Sequence, residues 1–451
     1  MLTQEDNELL TSVGAGTPMG ELMRRYWLPF MYSWELAADG PPLLVRLLGE
    51  DLIAFRASSG QVGLIQDSCM HRGASLFFGR NEDDGLRCVY HGWKYDVSGQ
   101  CVDMPNEPAE SNFKARIRAT AYKCAEQGGL IFTYMSPNQD EAPALPNLDW
   151  CMLPESHVYH EFKAVLNSNY MQNLEGDIDS SHTGFLHSGQ VPGAIPRGNG
   201  ITQDRAPRLE IVETEYGTMY SARRDAGPGR YYWRTAQYVM PVYTLFPGSG
   251  DGQVPSHIWI PIDDHHTLSF GVKWNPIAEW PDRTPTFRRA DLDATGRMLP
   301  ERQGSYFSHW WPEINMGNDF MIDRQVQKTQ SFTGIPTIRL QDAAMTTSMG
   351  PIMNRTREHL GTVDAMIVRT RQRLLKAAKA LRDFGTVPPI ADRPELFRIR
   401  SSSAILPEGA DWRTELEDWH YARTDELAPS QLATQAVAAG GRQAAARATD
   451  E

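Results

Sequence analysis

Hydrophobic and polar positions follow three successive rhythms along the chain. Residues 3 to 12 and 18 to 26 space their apolar side chains as two short helices would, and Gly14-Ala15-Gly16-Thr17-Pro18 interrupts the pattern between them. That interruption reads as a turn and not as a dinucleotide loop, because Met19 stands where the fingerprint needs glycine and no strand precedes it. From Leu43 to Thr133 the apolar runs shorten, as in Leu43–Leu48, Leu52–Phe55 and Gly129–Thr133, with glycine, asparagine and aspartate between them. This spacing predicts a small antiparallel β-domain. Four prolines at 137, 143, 146 and 154 mark a linker. A strand near Val158 then leads into a helix over Ser168 to His187, followed by strands at 208–212, 218–222, 231–234 and 268–274. The clearest helix runs from Val363 to Phe384, where Ile367, Leu374, Leu375, Ala378 and Leu381 recur at helical spacing. The predicted layout is α+β: a helical segment over 1–25, a β-domain over 26–136, a linker over 137–156, a larger domain over 157–425, and a disordered tail over 426–451.

Composition narrows the class without naming an activity. The chain has 451 residues, 41% hydrophobic and 22% charged, which suits globular domains and excludes disorder or fibre as a description of the whole. A net charge of −12 argues against general nucleic-acid binding, which needs a surplus of Lys and Arg on one face. An anionic ligand must therefore meet a local group of arginines. The acidic start Met1-Leu2-Thr3-Gln4-Glu5-Asp6 lacks a secretory signal pattern, no apolar run is long enough to span a membrane, and five cysteines are too few for a disulfide scaffold. The expectation is a cytoplasmic protein that does not engage a membrane.

Two clusters carry the candidate chemistry. Cys69-Met70-His71 is followed, after sixteen residues, by Cys88-Val89-Tyr90-His91. A structural zinc site usually draws cysteines as one pair and histidines as another, whereas here each loop supplies one of each. Two loops that each give one ligand to each iron are what a two-iron cluster with two cysteines on one iron and two histidines on the other requires. Zinc is the competing assignment, and Cys101, Cys124 and Cys151 are left as packing residues. The second cluster is Asp179-Ser180-Ser181-His182 with His187 five positions on. If helical, Asp179 and His182 share a face, while His187 needs a bend, placed at Gly184, to converge. Two histidines and a carboxylate suit a ferrous ion with positions left open. The third ligand is open among Glu313, Asp319, Asp323, Asp342, Glu358 and Asp364.

The first cluster, with its continuation His91-Gly92-Trp93-Lys94-Tyr95-Asp96, resembles the Rieske domain of Rieske-type non-haem iron ring-hydroxylating oxygenases; Val89 stands where that family usually has proline. Neither loop has the extra cysteine that respiratory Rieske proteins use for a disulfide. The string Glu175 to His187 resembles the family's mononuclear iron motif, and the likeness covers nearly the whole chain. It is nearest to phthalate 4,5-dioxygenases and aromatic O-demethylases.

The resemblance implies a [2Fe-2S] Rieske cluster held by Cys69, His71, Cys88 and His91, and a mononuclear Fe(2+) held by His182, His187 and Asp342. It implies a helix-grip, START-like catalytic domain with C-terminal helices. Asp179 is expected to link a Rieske histidine of one subunit to His182 of its neighbour, which implies a homotrimer, possibly doubled to a hexamer. Since the chain shows no dinucleotide or phosphate motif, electrons are expected from a separate NAD(P)H-dependent flavin and ferredoxin-type reductase. Arg205, Arg208, Arg223, Arg224, Arg230 and Arg234 concentrate positive charge in the second domain, and Arg208, Arg234 and Ser180 are the expected contacts to an anionic aromatic acid. Tyr243, Phe246 and Trp310 fit a pocket or a core equally. The expected activity is cis-dihydroxylation of an aromatic carboxylate with O2. Its alternatives are oxidative O-demethylation of a methoxy-aromatic acid, and an electron carrier without oxygenase activity.

Overall fold

The computed structural model describes residues 1–434 apart from 109, 191–194, 197–199, 249, 285–295 and 301–303. Near the amino terminus, helices Gln4–Thr11 and Pro18–Met23 are each capped by a threonine, Thr3 and Thr17, whose hydroxyl accepts a backbone N–H in the first turn.

Strands β1 (Trp27–Tyr32), β2 (Leu43–Leu47), β3 (Glu50–Arg56), β4 (Val62–Gln66), β9 (Ala121–Gln127) and β10 (Leu130–Tyr134) form one antiparallel sheet in the order β1-β10-β9-β4-β3-β2. A second, four-stranded meander is made of β5 (Arg80–Glu82), β6 (Gly85–Arg87), β7 (Lys94–Tyr95) and β8 (Cys101–Asp103). Its small core joins Ile53, Phe55 and Ile65 of the first sheet to Leu86, Trp93 and Tyr95. Both Cys/His loops rest on that core.

The larger domain is an eight-stranded antiparallel sheet. Strands β11 (Val158–Leu166), β14 (Arg208–Glu213), β15 (Gly217–Asp225), β16 (Arg230–Val239), β17 (Tyr243–Leu245), β18 (Val254–Pro261) and β19 (Thr267–Trp274) run in the order β11-β19-β18-β17-β16-β15-β14. Strand β20 (Ser402–Pro407) pairs with the first half of β16, and β17 with its last residues, so one long strand carries two short ones on the same edge. A short parallel pair, β12 (Ser188–Gly189) and β13 (Ile195–Pro196), lies outside the sheet. Helix Ala365–Phe384 packs against β14 and β15 along a buried stripe that includes Ile367, Leu374 and Ala378. It ends at Gly385, whose φ of 69° favours a residue without Cβ.

Two buried charges join the domains. Lys163 of β11 donates to Glu35 at 2.6 Å and lies 4.8 to 5.8 Å from the ring centres of Trp310, Phe307, Phe270 and Tyr32. Glu35 also accepts from Trp310 Nε1 and the Tyr32 amide, each at 2.7 Å. The expected linker over 137–156 is packed rather than loose: Asp149 and Trp150 are buried, and Asp149 takes Arg400 on both oxygens, at 2.6 and 3.1 Å, and Trp274 Nε1 at 2.8 Å. Prolines there restrict the backbone without removing side chains from the core. The tail expected from 426 is also packed where it is described, with Gln431 and Thr434 buried and Thr434 against Gly250. Residues 435–451 lie outside the described residues.

The helix expected over Ser168–His187 is shorter. It spans Tyr170–Ile178, is capped by Asn169, and stops at Asp179, where the backbone turns extended. The Asp179 carboxylate accepts from the Ser181 amide and hydroxyl at 2.7 and 2.8 Å, and this local bonding competes with further helix. The bend therefore falls at Asp179 and not at Gly184, and His182 sits on a single 3-10 turn, His182–Gly184.

Candidate active site

The two Cys/His loops have the same backbone construction. The amide of Cys69 donates to Ala74 O and that of Cys88 to Trp93 O, both at 2.8 Å; the amides of Gly73 and Gly92 return to the two cysteine carbonyls at 2.8 and 3.0 Å. Gly73 and Gly92 take φ of 74° and 80°, so each loop closes through a left-handed residue. This buries both thiols and leaves His71 and His91 half-exposed, with their Nδ1 atoms 3.0 Å apart. His71 stacks on Trp93 at 4.6 Å, and the Trp93 ring is held by Asn106 at 2.8 Å. The Tyr95 hydroxyl lies 3.3 Å from Cys69 Sγ. Burial is the larger influence on Cys88 and pushes its thiol up, whereas the amides of Tyr90 and His91 favour its thiolate. Two buried sulfurs and two half-exposed imidazoles fit a two-iron cluster held by thiolates on one iron and imidazoles on the other.

In the larger domain His182, His187 and Asp342 come together, one ligand atom of each lying within 4.8 Å of the others. Nε2 of His182 and of His187 are 3.1 Å apart, and Asp342 Oδ1 is 3.6 and 3.2 Å from them. Asp342 comes from helix Ile338–Ser348, more than 150 positions away in sequence, and the residue before it does related work. Gln341 Oε1 meets His187 Nδ1 at 2.8 Å, and its amide nitrogen donates to Ile335 O at 2.9 Å. Asp179 Oδ2 is 3.4 Å from His182 Nδ1. Each imidazole thus has its remote nitrogen engaged and its Nε2 turned toward Asp342, a donor set that fits a two-histidine, one-carboxylate iron site. The other acids are occupied elsewhere or lie apart. Glu358 pairs with Arg371, Asp323 caps helix Arg324–Thr329, Asp364 receives the Gly361 amide, Glu313 faces Arg297, and Asp319 is outside the cluster.

Two of the three donors, His182 and Asp342, line a cavity of about 450 Å³ whose walls are chiefly apolar side chains, among them Phe162, Leu186, Trp259, Phe332 and Met349, while His187 is buried behind it. Part of the cavity lining, Glu175, Glu358 and Arg371, is polar and internally paired. Glu175 receives two arginine forks, from Arg355 at 3.1 and 3.1 Å and from Arg371 at 2.6 and 3.0 Å, and Arg371 also binds Glu358. Burial would raise the Glu175 carboxyl, but the two guanidinium charges outweigh it and hold the group below its usual range.

The residues expected to bind substrate are placed elsewhere. Arg208 is exposed at the start of β14, and Arg234 lies in β16 between Ala222 and Ser403; neither lines the cavity. Ser180 is buried but serves the turn, its carbonyl and hydroxyl accepting from Arg224 at 2.8 and 3.2 Å. Tyr243 and Trp310 are core residues, and Phe246 packs on His257 at 4.8 Å. The cavity instead presents Arg339 and His257, which sequence reasoning missed. Arg339 stood three residues before a candidate ligand, a spacing that alone would have suggested proximity.

This pairing of a Cys/His cluster domain with a sheet-and-helix domain bearing a two-histidine, one-carboxylate set defines a Rieske non-haem iron oxygenase. Residues 26–122 match the Rieske [2Fe-2S] domain family, and residues 133–434 match the family described as LigXa C-terminal domain like. The chain is 41% identical over 428 residues to the 3-chlorobenzoate-3,4-dioxygenase oxygenase subunit of Comamonas testosteroni, covering 92% of this chain and 98% of that one. It is 38% identical over 440 residues to the phthalate 4,5-dioxygenase oxygenase subunit of Pseudomonas putida, covering 94% and 97%. The 5,5'-dehydrodivanillate O-demethylase oxygenase subunit of Sphingobium sp. is 31% identical, with 83% and 80% covered. Among solved structures, Pseudomonas putida CBB5 NdmA with caffeine shares the fold, with a TM-score of 0.54, 20% identity and coverage of 81% of this chain and 94% of that one.

The chain belongs to the Rieske oxygenase family with the LigXa-like catalytic domain, and it is the terminal oxygenase component of such a system. Its cofactors are a Rieske [2Fe-2S] cluster and a mononuclear iron, and an oxygenase subunit of this kind works with a separate reductase. Among the described residues no helix is long and apolar enough to cross a membrane.

Proposed function

We propose that this protein oxygenates an anionic aromatic acid, with cis-dihydroxylation as its reaction. Cys69, Cys88, His71 and His91 hold the cluster, and His182, His187 and Asp342 hold the iron. The convergence of those last three residues, two of which line a largely apolar cavity, carries the reading. When bound, the two iron groups supply electron storage and a place for oxygen to be activated.

The chain's own residues do the rest. His182, His187 and Asp342 would hold the iron, and a set of three protein donors would leave it able to take oxygen beside a substrate in the cavity that His182 and Asp342 line. Asp179 and Gln341 fix the rotation of the two imidazoles. The apolar walls keep bulk water from the reacting ring.

Around the cluster histidines, Met70, Val89 and Tyr90 are exposed, the last two by 57% each. Exposed apolar side chains next to the cluster histidines suit a protein contact. In the proposed assembly, a head-to-tail homotrimer that can double to a hexamer, these side chains meet the next subunit, and Asp179 bridges His182 to the partner subunit's His91. Electrons come from a NAD(P)H-dependent flavin and ferredoxin-type reductase, and the setting is the cytoplasm.

Turnover of benzoate, 3-chlorobenzoate, phthalate and methoxybenzoates by the iron-loaded protein with a surrogate reductase tests the reading. A cis-diol product is expected, and it should vanish in His182→Ala. Formaldehyde from the methoxy acids alone would replace dihydroxylation by O-demethylation, an outcome the relative acting on dehydrodivanillate makes chemically reasonable. Absence of substrate-dependent oxygen uptake across the panel would overturn both.

A further inference from the structure

The helix that supplies Asp342 brings sulfur to the cavity as well as a carboxylate. On Ile338–Ser348 the positions three, four and seven beyond Asp342 share its face, and Met345, Thr346 and Met349 all line the cavity with it. Met349 caps the helix at φ −72° and ψ −3°, so the face continues through it. Among the described residues the only sulfur atoms along this cavity belong to Met345, Met349 and the less exposed Met353.

Met345 is 39% exposed and Met349 48%. A methionine that fills a gap in a core is buried, as Met171 and Met366 are here. Half-exposed along a cavity wall, Met345 and Met349 have less packing to do, and leucine of similar volume would do it as well. What leucine lacks is a polarisable thioether that peroxide oxidises.

An oxygenase that receives electrons while no substrate takes up oxygen reduces O2, by two electrons and two protons, to hydrogen peroxide. At a thioether the peroxide O–O bond breaks and one S–O bond forms. The sulfur gives up two electrons and becomes a sulfoxide, and the second oxygen leaves as water with both hydrogens. A polar, chiral group then stands in a chiefly apolar wall. An oxidant produced beside Asp342 meets the methionines of the same helix face before it is diluted into bulk water.

We infer that Met345 and Met349 are the oxidation site of this oxygenase: peroxide made at the iron in the absence of substrate converts their thioethers to sulfoxides, and the altered wall binds an aromatic ligand less tightly. The site itself requires only oxygenase chemistry, whereas the effect on the ligand rests on the proposed aromatic-acid substrate.

The protein carrying both iron groups is cycled with a surrogate reductase, NADH and air without any aromatic acid, and sulfoxide is mapped by peptide mass spectrometry. Met152 and Met321, 47% and 56% exposed and outside the cavity, serve as internal references. Met345 and Met349 should oxidise about threefold or more faster than either, because proximity to the source outweighs exposure. In His182→Ala, where peroxide no longer arises at the iron position, the order should follow exposure. Equal rates in the wild type, or an excess that survives in His182→Ala, overturn the inference.

Anaerobic calorimetric titration with benzoate reads the effect on the ligand. Oxidised wild type should bind benzoate about threefold or more weaker than untreated protein, and methionine sulfoxide reductases should restore it. The Met345→Leu, Met349→Leu double variant keeps the apolar volume, so it should match untreated wild type within about twofold both before and after the same cycling. Unchanged benzoate affinity in an oxidised wild type overturns the inference. An untreated wild type that does not bind benzoate removes the aromatic-acid reading instead, and the sulfoxide map, which uses no aromatic acid, still decides the oxidation site.

Discussion

Replacing Glu175 by glutamine probes the network that anchors the helix leading to the iron position. The carboxylate receives four N–H groups from Arg355 and Arg371, all in buried surroundings, and Arg355 reaches on to Asn7 of the amino-terminal helix at 3.2 Å. Glutamine keeps the shape but removes the charge and replaces one accepting oxygen with a donor, which then faces a guanidinium. Removing one partner from a buried ionic cluster typically costs about 3–5 kcal/mol, because the remaining charges are left uncompensated. The four contacts cannot be summed, since they share one carboxylate and act as a unit.

The same network sets a pH dependence. Since the Glu175 carboxyl lies below its usual range in the folded chain, its contribution is fully present above the unfolded value of about 4.5 and is lost as pH falls through the lower folded value. Urea unfolding followed by tryptophan fluorescence, in parallel with cluster absorbance, separates the catalytic domain from the Rieske domain. Glu175→Gln should lose about 3–5 kcal/mol in the catalytic-domain transition at neutral pH, and the deficit should shrink on acidification. A triple variant with Glu175→Leu, Arg355→Met and Arg371→Met should recover most of the loss, as apolar replacement of a whole buried cluster often does. A deficit under about 1 kcal/mol would refute the reasoning, because it would mean that water or movement compensates the stranded arginines.

Three further outcomes follow from the geometry. Gln341→Leu leaves His187 without its Nδ1 partner and should weaken mononuclear iron binding about 10–100-fold while the cluster spectrum is retained, read by iron titration against a chelator; unchanged affinity would deny Gln341 an orienting role. Tyr95→Phe removes the hydroxyl beside Cys69 Sγ and should lower the Rieske potential, since hydrogen bonds to the sulfurs stabilise the reduced cluster; a redox titration decides. Lys163→Met strands the largely buried Glu35 and should destabilise the domain junction by about 3–5 kcal/mol, with recovery in the Lys163→Met, Glu35→Gln double variant, both read by urea unfolding.

Those local motifs were legible because their ligands lie close together along the chain. Cys69 and His71, Cys88 and His91, and His182 and His187 each belong to one loop or turn, so residue type and spacing nearly define the donor set. The amphipathic stripe of helix Ala365–Phe384 and the short apolar runs of β2, β3 and β10 were readable for the same reason, as local patterns. The helix at 170 was overextended because the carboxylate of Asp179 and the hydroxyl of Ser181 bond locally, and helical periodicity does not register that competition.

Which residues face the cavity was decided by tertiary structure. Asp342 could be chosen among six acids only by resemblance, since its distance to the histidines depends on how helix Ile338–Ser348 docks. The arginines at 208 and 234 carry the right charge on strands whose placement takes them away from the cavity, whereas Arg339 and His257 reach it from a helix and a distant strand. Glu175 meets Arg355 and Arg371 across 180 and 196 residues, a pairing with no local trace. Sequence by itself determined the chemistry of the donors, because ligand softness and loop spacing are local properties. Only the packed sheet and helices decided what surrounds them, because burial and facing depend on contacts between segments far apart in the chain.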